Sequence, residues 1–221
     1  MATTDGRIER SRILYERALF DADPGALAEA GRELDAVEAD LALARGQLMH
    51  GRFLELRAEH PDQAREDPRE LELFERAAQV YRDQGSRRGE AEALFWIGCL
   101  HQVVRRDNEA AVPVLQRSLE LAALEGDKRT MSEALRHLGI AEFAAGRLDQ
   151  ARERLEESVR LRRESGLMNG VAGNLVGLIY IAAAQGRRGD ALALAEEATA
   201  IAQATGARGI LRQVDEARAS L

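Results

Sequence analysis

The stretch EALRHLGIAEFAAGRLDQA, residues 133–151, predicts two amphipathic helices joined by a turn that contains a glycine. A similar stretch, GNLVGLIYIAAAQGRRGDA, begins 40 residues later at position 173. Another, EALFWIGCLHQVVRRDNEA, begins 41 residues earlier at position 92. A fixed period of this length is typical of chains that repeat one supersecondary unit. The sequence therefore predicts a stack of helix pairs.

The repeat is visible as columns of residues that share size or conformation. Glycines follow each second helix, where a left-handed cap is needed. Small residues let two helix backbones approach closely, and large apolar residues fill the space between neighbouring pairs. The columns after and within the second helices are Gly126, Gly166 and Gly206; Ala78, Ser118, Ser158 and Ala198; Tyr81, Leu121, Leu161 and Ile201; and Ala111, Ala151 and Ala191. The columns of the first helices are Leu94, Leu135 and Leu175, and Ile97, Leu138 and Leu178.

The middle unit resembles the tetratricopeptide repeat. The residues that carry the resemblance are Leu135, Leu138, Gly139, Gly146, Ala151, Leu155 and Ser158. The resemblance extends over 89–206, with Arg105 at the expected turn glycine of the first unit and Ile179 and Ala195 at the glycine and bulky positions of the third. The period of about 40 exceeds the usual 34. It resembles the longer repeats in sensor regions of bacterial transcription regulators and in kinesin light chains.

The predicted fold is all-α, a right-handed solenoid of antiparallel helix pairs with a C-terminal capping helix over 208–220. N-terminal helices over 1–57 are expected to continue into a repeat domain over 58–221, in which 57–69 forms an enlarged loop. The segment 26–57 is either one helix or two, because its glycines weaken a helix without clearly breaking it. Asp67 to Glu70 and Thr130 to Glu133 both have the pattern of a helix start.

Composition excludes several classes of function. With 31 Lys and Arg against 38 Asp and Glu, the net charge of −7 argues against direct nucleic-acid binding. A single cysteine, Cys99, allows no internal disulfide and is typical of a reducing compartment. The first residues lack the apolar core of a signal peptide, and no apolar run is long enough to cross a bilayer. We therefore expect a cytoplasmic protein without membrane contact.

The first helices of such a stack line its concave surface. The repeat register predicts a partner-binding face with three residues on each first helix, namely Phe95, Cys99, Gln102, Arg136, Ile140, Phe143, Val176, Tyr180 and Ala183. Trp96 and His137 occupy the adjacent column and belong to the same face. This face is unusually apolar, which favours a helical or aromatic-rich segment of another protein, with Phe143 and Tyr180 as anchors. Only Arg136 suits the capture of a peptide's C-terminal carboxylate, so we reject that function, and we expect Arg136 to pair with Glu133 or another acid. The open alternatives are a small hydrophobic ligand, occlusion by the N-terminal helices, and a homodimer.

No linear motif for catalysis, a metal or a cofactor is present in the sequence. His50, His60, His101 and His137 lack metal-ligand spacing, and there is no cysteine pair. We expect Cys99 to be a small buried hydrophobe, since no His or Lys lies beside it in sequence. The favoured function is therefore non-catalytic binding of a protein or peptide, in a regulatory setting. The alternative is an enzyme or small-molecule sensor, in which Tyr180, Arg136, His137 and Glu133 converge on a pocket beside the N-terminal helices.

Overall fold

The computed structural model describes residues 5–221, and this part of the chain is helical throughout, with no β-strand. The prediction of an all-α fold is confirmed. The described residues form ten helices: α1 (Gly6–Phe20), α2 (Ala26–Glu59), α3 (Pro68–Asp83), α4 (Arg87–Val103), α5 (Asn108–Leu124), α6 (Lys128–Ala144), α7 (Leu148–Glu164), α8 (Met168–Ala184), α9 (Arg188–Thr205) and α10 (Arg208–Ala219).

The helices pack in chain order, each against the next, which is the arrangement of a helical solenoid. The first helices of the pairs also touch one another, so α2, α4, α6, α8 and α10 form one layer. The second helices α3, α5, α7 and α9 form the other. The last helix, α10, packs on both α8 and α9, as expected of a terminal cap. The predicted solenoid is confirmed.

The segment that the sequence left open is one continuous helix of 34 residues, α2. Its Gly46 is buried where α3 crosses it, and a Cβ at this position would lie 2.5 Å from the Phe74 ring. Gly46 therefore allows α3 to approach, and its helix-weakening effect is offset by packing. The connection to α3 runs from His60 to Asp67, shorter than the loop predicted over 57–69.

The turns follow the glycine columns, with one correction. Gly126, Gly166 and Gly206 have φ of 63°, 70° and 70°, the left-handed conformation that glycine adopts without a Cβ penalty. In the turn between α4 and α5 the left-handed residue is Arg106, with φ of 57°, and not Arg105 as predicted. This turn is one residue longer than its counterpart at Gly146, which moves the left-handed position along the chain.

Two helix starts were predicted from capping patterns, and one is wrong. Asp67 caps α3 as expected, accepting a hydrogen bond from the Arg69 backbone N–H, with Pro68 as the first helical residue. Helix α6 begins earlier than predicted, at Lys128, because the Asp127 side chain accepts from the Thr130 N–H. Asp is a strong cap and directly follows the left-handed Gly126, so the chain enters the helix before Thr130.

The core explains the departures of the third unit from the repeat pattern. In the pairs α4–α5 and α6–α7, a glycine on the first helix leaves room for a leucine on the second. A Cβ on Gly98 would lie 2.6 Å from Leu115 Cγ, and one on Gly139 would lie 3.2 Å from Leu155 Cγ. The pair α8–α9 reverses the sizes, with the large Ile179 on the first helix and the small Ala195 on the second, both fully buried in one cluster. A large residue therefore still meets a small one, and the volume between the helices is conserved.

This size exchange predicts a compensating double mutant. Ala195→Leu alone is expected to overpack the α8–α9 contact and to cost about 1–3 kcal/mol of unfolding free energy. Ile179→Ala alone leaves a void and costs about 2–4 kcal/mol. The double variant restores the arrangement of the other pairs, so its cost should fall at least about 1 kcal/mol below the sum of the two. Urea denaturation of the four proteins measures this coupling, and strict additivity would show that the two side chains do not share one space.

Candidate functional site

A cavity of about 610 Å³ lies on the first-helix side of the stack. Its walls come from the second half of α2, from α4 and from α6, and the cap α10 adds Gln213 from the far side. The residues that line it are Gln47, His50, Leu54, Arg57, Glu92, Phe95, Trp96, Cys99, Val103, Arg129, Thr130, Glu133, Arg136, His137, Ile140 and Gln213. The N-terminal helices and the repeat thus build this site together.

The structure brings most of the predicted partner-binding residues to this cavity. The lining includes Phe95, Trp96, Cys99, Arg136, His137 and Ile140. Gln102 is buried just behind it and bonds to His137.

Four other predicted residues lie outside the cavity lining, namely Val176, Phe143, Tyr180 and Ala183. Val176 is buried in the core between α8 and its neighbours. Phe143 and Tyr180, the predicted anchors, keep 38% and 37% of their surface exposed near the ends of α6 and α8. The predicted face is therefore divided into a cavity and a separate exposed region.

The cavity lining also contains charged groups, which the predicted apolar face did not include. The repeat register selected three inward positions per helix, which omits the first turns of α4 and α6 and the whole of α2. Those segments supply charged groups, among them Arg57, Glu92, Arg129 and Glu133. The result is an aromatic wall with a charged rim.

A chain of buried polar groups runs through the inner wall. The Glu70 carboxylate lies 2.8 Å from His50 Nδ1, and His50 Nε2 lies 3.7 Å from Cys99 Sγ. On the other side of the thiol, His137 Nε2 lies 3.9 Å from Cys99 Sγ, and His137 Nδ1 lies 2.6 Å from Gln102 Oε1. The Nδ1 atoms of His50 and His137 face oxygen acceptors and therefore donate a hydrogen bond. In a neutral imidazole the Nε2 atom then carries a lone pair, so both rings present a lone pair to the single proton of the Cys99 thiol.

Sequence reasoning missed this cluster because its members are far apart along the chain. Cys99 is 49 residues from His50 and 38 from His137. The only available signal was the histidines themselves, whose spacing says nothing about contacts across helices. The sequence shows no histidine beside Cys99, whereas the fold places two against its thiol; Cys99 is nevertheless buried, as predicted.

Burial determines the protonation of these groups. Burial, with Arg136 and Arg162 nearby, lowers the pKa of His137 to about 3, so its imidazole is neutral at physiological pH. Burial also raises the pKa of the Cys99 thiol to about 12, with the carboxylates of Glu133 and Glu70 adding to the effect. The thiol therefore stays protonated and is a poor nucleophile.

The aromatic wall is centred on Trp96. Its ring stacks on Phe74 of α3 at a centroid distance of 5.8 Å and meets Phe95 edge-on at 5.2 Å. The His50 ring lies 5.6 Å away, also edge-on. Trp96 therefore joins α2, α3 and α4 while it keeps one face in the cavity.

Arg136 has different partners from those predicted. Its guanidinium donates to the Gly173 carbonyl and to Asn174 Oδ1, both at 2.9 Å, whereas Glu133 pairs with Arg162. Arg57 likewise donates to a carbonyl, that of Val103, at 3.0 Å. Within residues 5–221 neither arginine has a carboxylate at ion-pair distance. Burial lowers the pKa of Arg136, with Arg162 adding to the effect, as expected of a cation without a counter-ion.

A second and larger cavity, of about 750 Å³, opens on the other side of α2, against α3 and the loop before it. Its lining includes Arg45, Arg52, Arg65 and Arg69 but none of the predicted partner-binding residues. Size alone does not select it, because the one buried polar side chain in its lining, Glu70, is already bonded to His50.

Over residues 5–221 no group of three or more His, Cys, Asp and Glu side chains has the arrangement needed to hold a metal ion. In the same part of the chain, no helix combines the length and the apolar character needed to cross a membrane.

Comparison with known proteins confirms the resemblance proposed from the sequence. Residues 103–164 match the family described as the tetratricopeptide repeat. The fold is similar to that in the crystal structure of BtubC (BKLC) from P. vanneervenii, with a TM-score of 0.53 and 17% identity, covering 91% of this chain and 90% of that chain. At this identity the likeness shows the fold alone. No curated protein matches the sequence.

The low pKa of His137 predicts a loss of stability in acid. Unfolded His137 takes up a proton below pH about 6.5, whereas the folded protein does not until pH about 3. The contribution is therefore complete above pH 6.5 and is lost as the pH falls towards 3, by about 1–2 kcal/mol at pH 5. Urea denaturation at pH 7 and pH 5 should show this loss in the wild type and in the control His60→Gln, an exposed loop position. His137→Gln should lose less, and equal losses in all three proteins would contradict the assignment.

Proposed function

We propose that this chain, whose segment 103–164 is a tetratricopeptide repeat, is a non-catalytic binding module. Its first-helix cavity takes a segment of another protein that carries an acidic group next to an aromatic or apolar one. Tetratricopeptide repeats generally mediate protein–protein interaction, and the pairing of cations with an aromatic wall supports the finer proposal. The observation that carries it is the pair of arginines, Arg57 and Arg136, whose charge no carboxylate of residues 5–221 neutralises at ion-pair distance.

The electrostatics of the cavity favour an anionic group on the partner. Arg136 is a buried cation whose hydrogen bonds go to neutral oxygens, so its desolvation is only partly offset. Arg129 adds a third cation at the rim, while Glu133 is neutralised by Arg162. Burial raises the pKa of the remaining carboxyl, Glu92, which weakens its competition for these cations. A carboxylate entering this site would gain charge-assisted hydrogen bonds in a poorly solvated environment.

The aromatic wall supplies the apolar part of the recognition. Phe95, Trp96 and Ile140 line the cavity beside the arginines, so an acidic residue next to a bulky one would contact both. Most of the supporting residues lie on helices, and the wall is already packed in the unbound chain, which keeps the ordering cost of binding low.

A second candidate function is the binding of a small anionic molecule in the same cavity. Its volume of about 610 Å³ lies within the usual range for small-molecule sites. The polar lining and the lowered pKa of His137 also suit an enclosed ligand site. The sensor alternative raised by the sequence is therefore kept, with Arg136, His137 and Glu133 in the lining but without Tyr180.

The catalytic alternative has less support. Glu70, His50 and Cys99 are connected in the order of an acid, a base and a nucleophile, but the thiol is 4% exposed and its pKa is raised to about 12. A nucleophilic cysteine needs the opposite shift, towards the thiolate at neutral pH.

Selection from a random peptide library displayed on phage tests the cavity. We expect wild-type protein to enrich peptides in which Asp or Glu lies beside an aromatic or large apolar residue. Arg136→Gln and Trp96→Ala should each weaken binding of the selected peptides about tenfold or more. The first removes the cation that would bind the acidic residue, and the second removes the aromatic contact.

Phe143→Ala and Tyr180→Ala are the matched controls, since both residues lie outside the cavity lining. Binding that survives Arg136→Gln and fails with Phe143→Ala would instead support the exposed region at the ends of α6 and α8. Weak selection of peptides together with Arg136-dependent binding of free dicarboxylates would favour the small-molecule function.

Alkylation of Cys99 tests the non-catalytic proposal. Because the chain has one cysteine, all of the label reports on this residue. With its pKa raised from 9.0 to about 12, the folded thiol should react with iodoacetamide at pH 8 about a thousandfold more slowly than in denaturant. Mass spectrometry of timed samples gives both rates. Native labelling as fast as that of the unfolded chain would show a thiolate, and would reopen the catalytic alternative.

A further inference from the structure

Four leucines of α2 point into solvent in one line. Leu27, Leu34, Leu41 and Leu48 are spaced seven residues apart, and their exposed fractions are 58%, 48%, 47% and 64%. Scattered exposed leucines need no explanation, but this line continues for about 32 Å along a single helix. We call it the leucine stripe.

The stripe follows the heptad pattern of a coiled coil. Each leucine is followed three residues later by a smaller residue, namely Ala30, Val37, Ala44 and Gly51. The alternating spacing of three and four residues is that of the a and d positions of a two-stranded coiled coil. Ala30 lies under α1, while Ala44 and Gly51 are exposed and Val37 is half-buried.

The packing of the stack does not account for the stripe. The residues with which α2 contacts α3 and α4 include Ala39, Ala42 and Leu43, on the opposite side of the helix. A Cβ at Gly51 would have no atom within 4 Å, so nothing described in this chain requires glycine there. A large-and-small pattern that the chain itself leaves unfilled indicates close approach by another helix.

The charges of α2 identify the kind of helix that fits. Residues 26–41 contain five acidic residues and one arginine, whereas residues 42–56 contain two arginines and one glutamate; the next arginine, Arg57, faces the first-helix cavity and is not counted. Two copies of α2 placed antiparallel would bring the acidic half of each against the basic half of the other. A parallel arrangement would oppose like charges.

We propose that the leucine stripe is the interface of an antiparallel homodimer, in which α2 of a second copy of this chain covers it. In antiparallel coiled coils an a position faces a d position, so Leu34 would pack opposite Ala44 of the second copy and Leu41 opposite its Val37. These two layers and the layer of Leu27 and Gly51 each contain one large and one smaller residue, whereas Ala30, which would face Leu48, is already covered by α1.

The flanking positions strengthen the pairing. Glu38 and Arg45 are one heptad apart and lie on the same side of the leucine stripe. In the antiparallel dimer, Glu38 of each copy would therefore lie against Arg45 of the other copy. Glu38 bonds Arg76 through one oxygen at 3.1 Å, which leaves its other oxygen for this contact. The stripe leucines do not line the first-helix cavity, so this proposal stands apart from the binding function.

The oligomeric state tests the proposal. Sedimentation velocity over micromolar concentrations should show a species of about 49 kDa, twice the 24.3 kDa of one chain. Leu34→Glu with Leu41→Glu should raise the dimer Kd by about 100-fold or more, because the dimer would bury unpaired carboxylates. Leu192→Glu, at a leucine of α9 that is 44% exposed, is the matched control and should leave the dimer intact. Circular dichroism confirms that each variant is folded.

Charge reversal tests the orientation. Glu38→Arg and Arg45→Glu should each weaken the dimer by about tenfold, and the double variant should recover most of the loss, since the pair is restored with opposite sign. A wild-type monomer at all concentrations overturns the proposal. So does a dimer that is insensitive to the stripe substitutions, which would place the interface elsewhere. A dimer that depends on the stripe but shows no recovery in the double variant overturns the antiparallel arrangement.

Discussion

The whole stack depends on one packing constraint, the contact of a large side chain with a small one between the two helices of each pair. Gly98 admits Leu115, and Gly139 admits Leu155 in the same way. This contact brings the two helices of each pair close together, and the first helices of successive pairs form a continuous layer. The position of the cavity follows from that layer, since its walls are the neighbouring first helices.

The cavity carries polar groups at a cost that the fold must offset. The chain from Glu70 through His50, Cys99 and His137 is almost entirely buried, and each Nδ1 atom has a hydrogen-bond partner. Arg136 is held by neutral oxygens only, so its charge is incompletely offset. Such incomplete satisfaction is expected at binding sites, where the missing partner is supplied by the ligand. This is the physical basis for the proposal that the cavity binds an anionic group.

The two proposed surfaces use opposite sides of α2. Its inner side supplies Gln47, His50 and Arg57 to the cavity, and its outer side carries the leucine stripe. A helix of 34 residues, about twice as long as the helices of the repeat units, provides room for both. In the proposed dimer, the two α2 helices would pair while both cavities remained open.

Local pattern and period were sufficient to predict the helices, the glycine turns, the buried columns and the tetratricopeptide repeat, because these depend on contacts between residues close in sequence or one repeat apart. They also predicted six of the residues that line the cavity. The tertiary structure alone decided that Cys99 meets His50 and His137, that Arg136 turns away from Glu133, and that α2 closes one wall. Those contacts join side chains on different helices, and their geometry depends on the rotation of each pair against the next, which no linear spacing encodes.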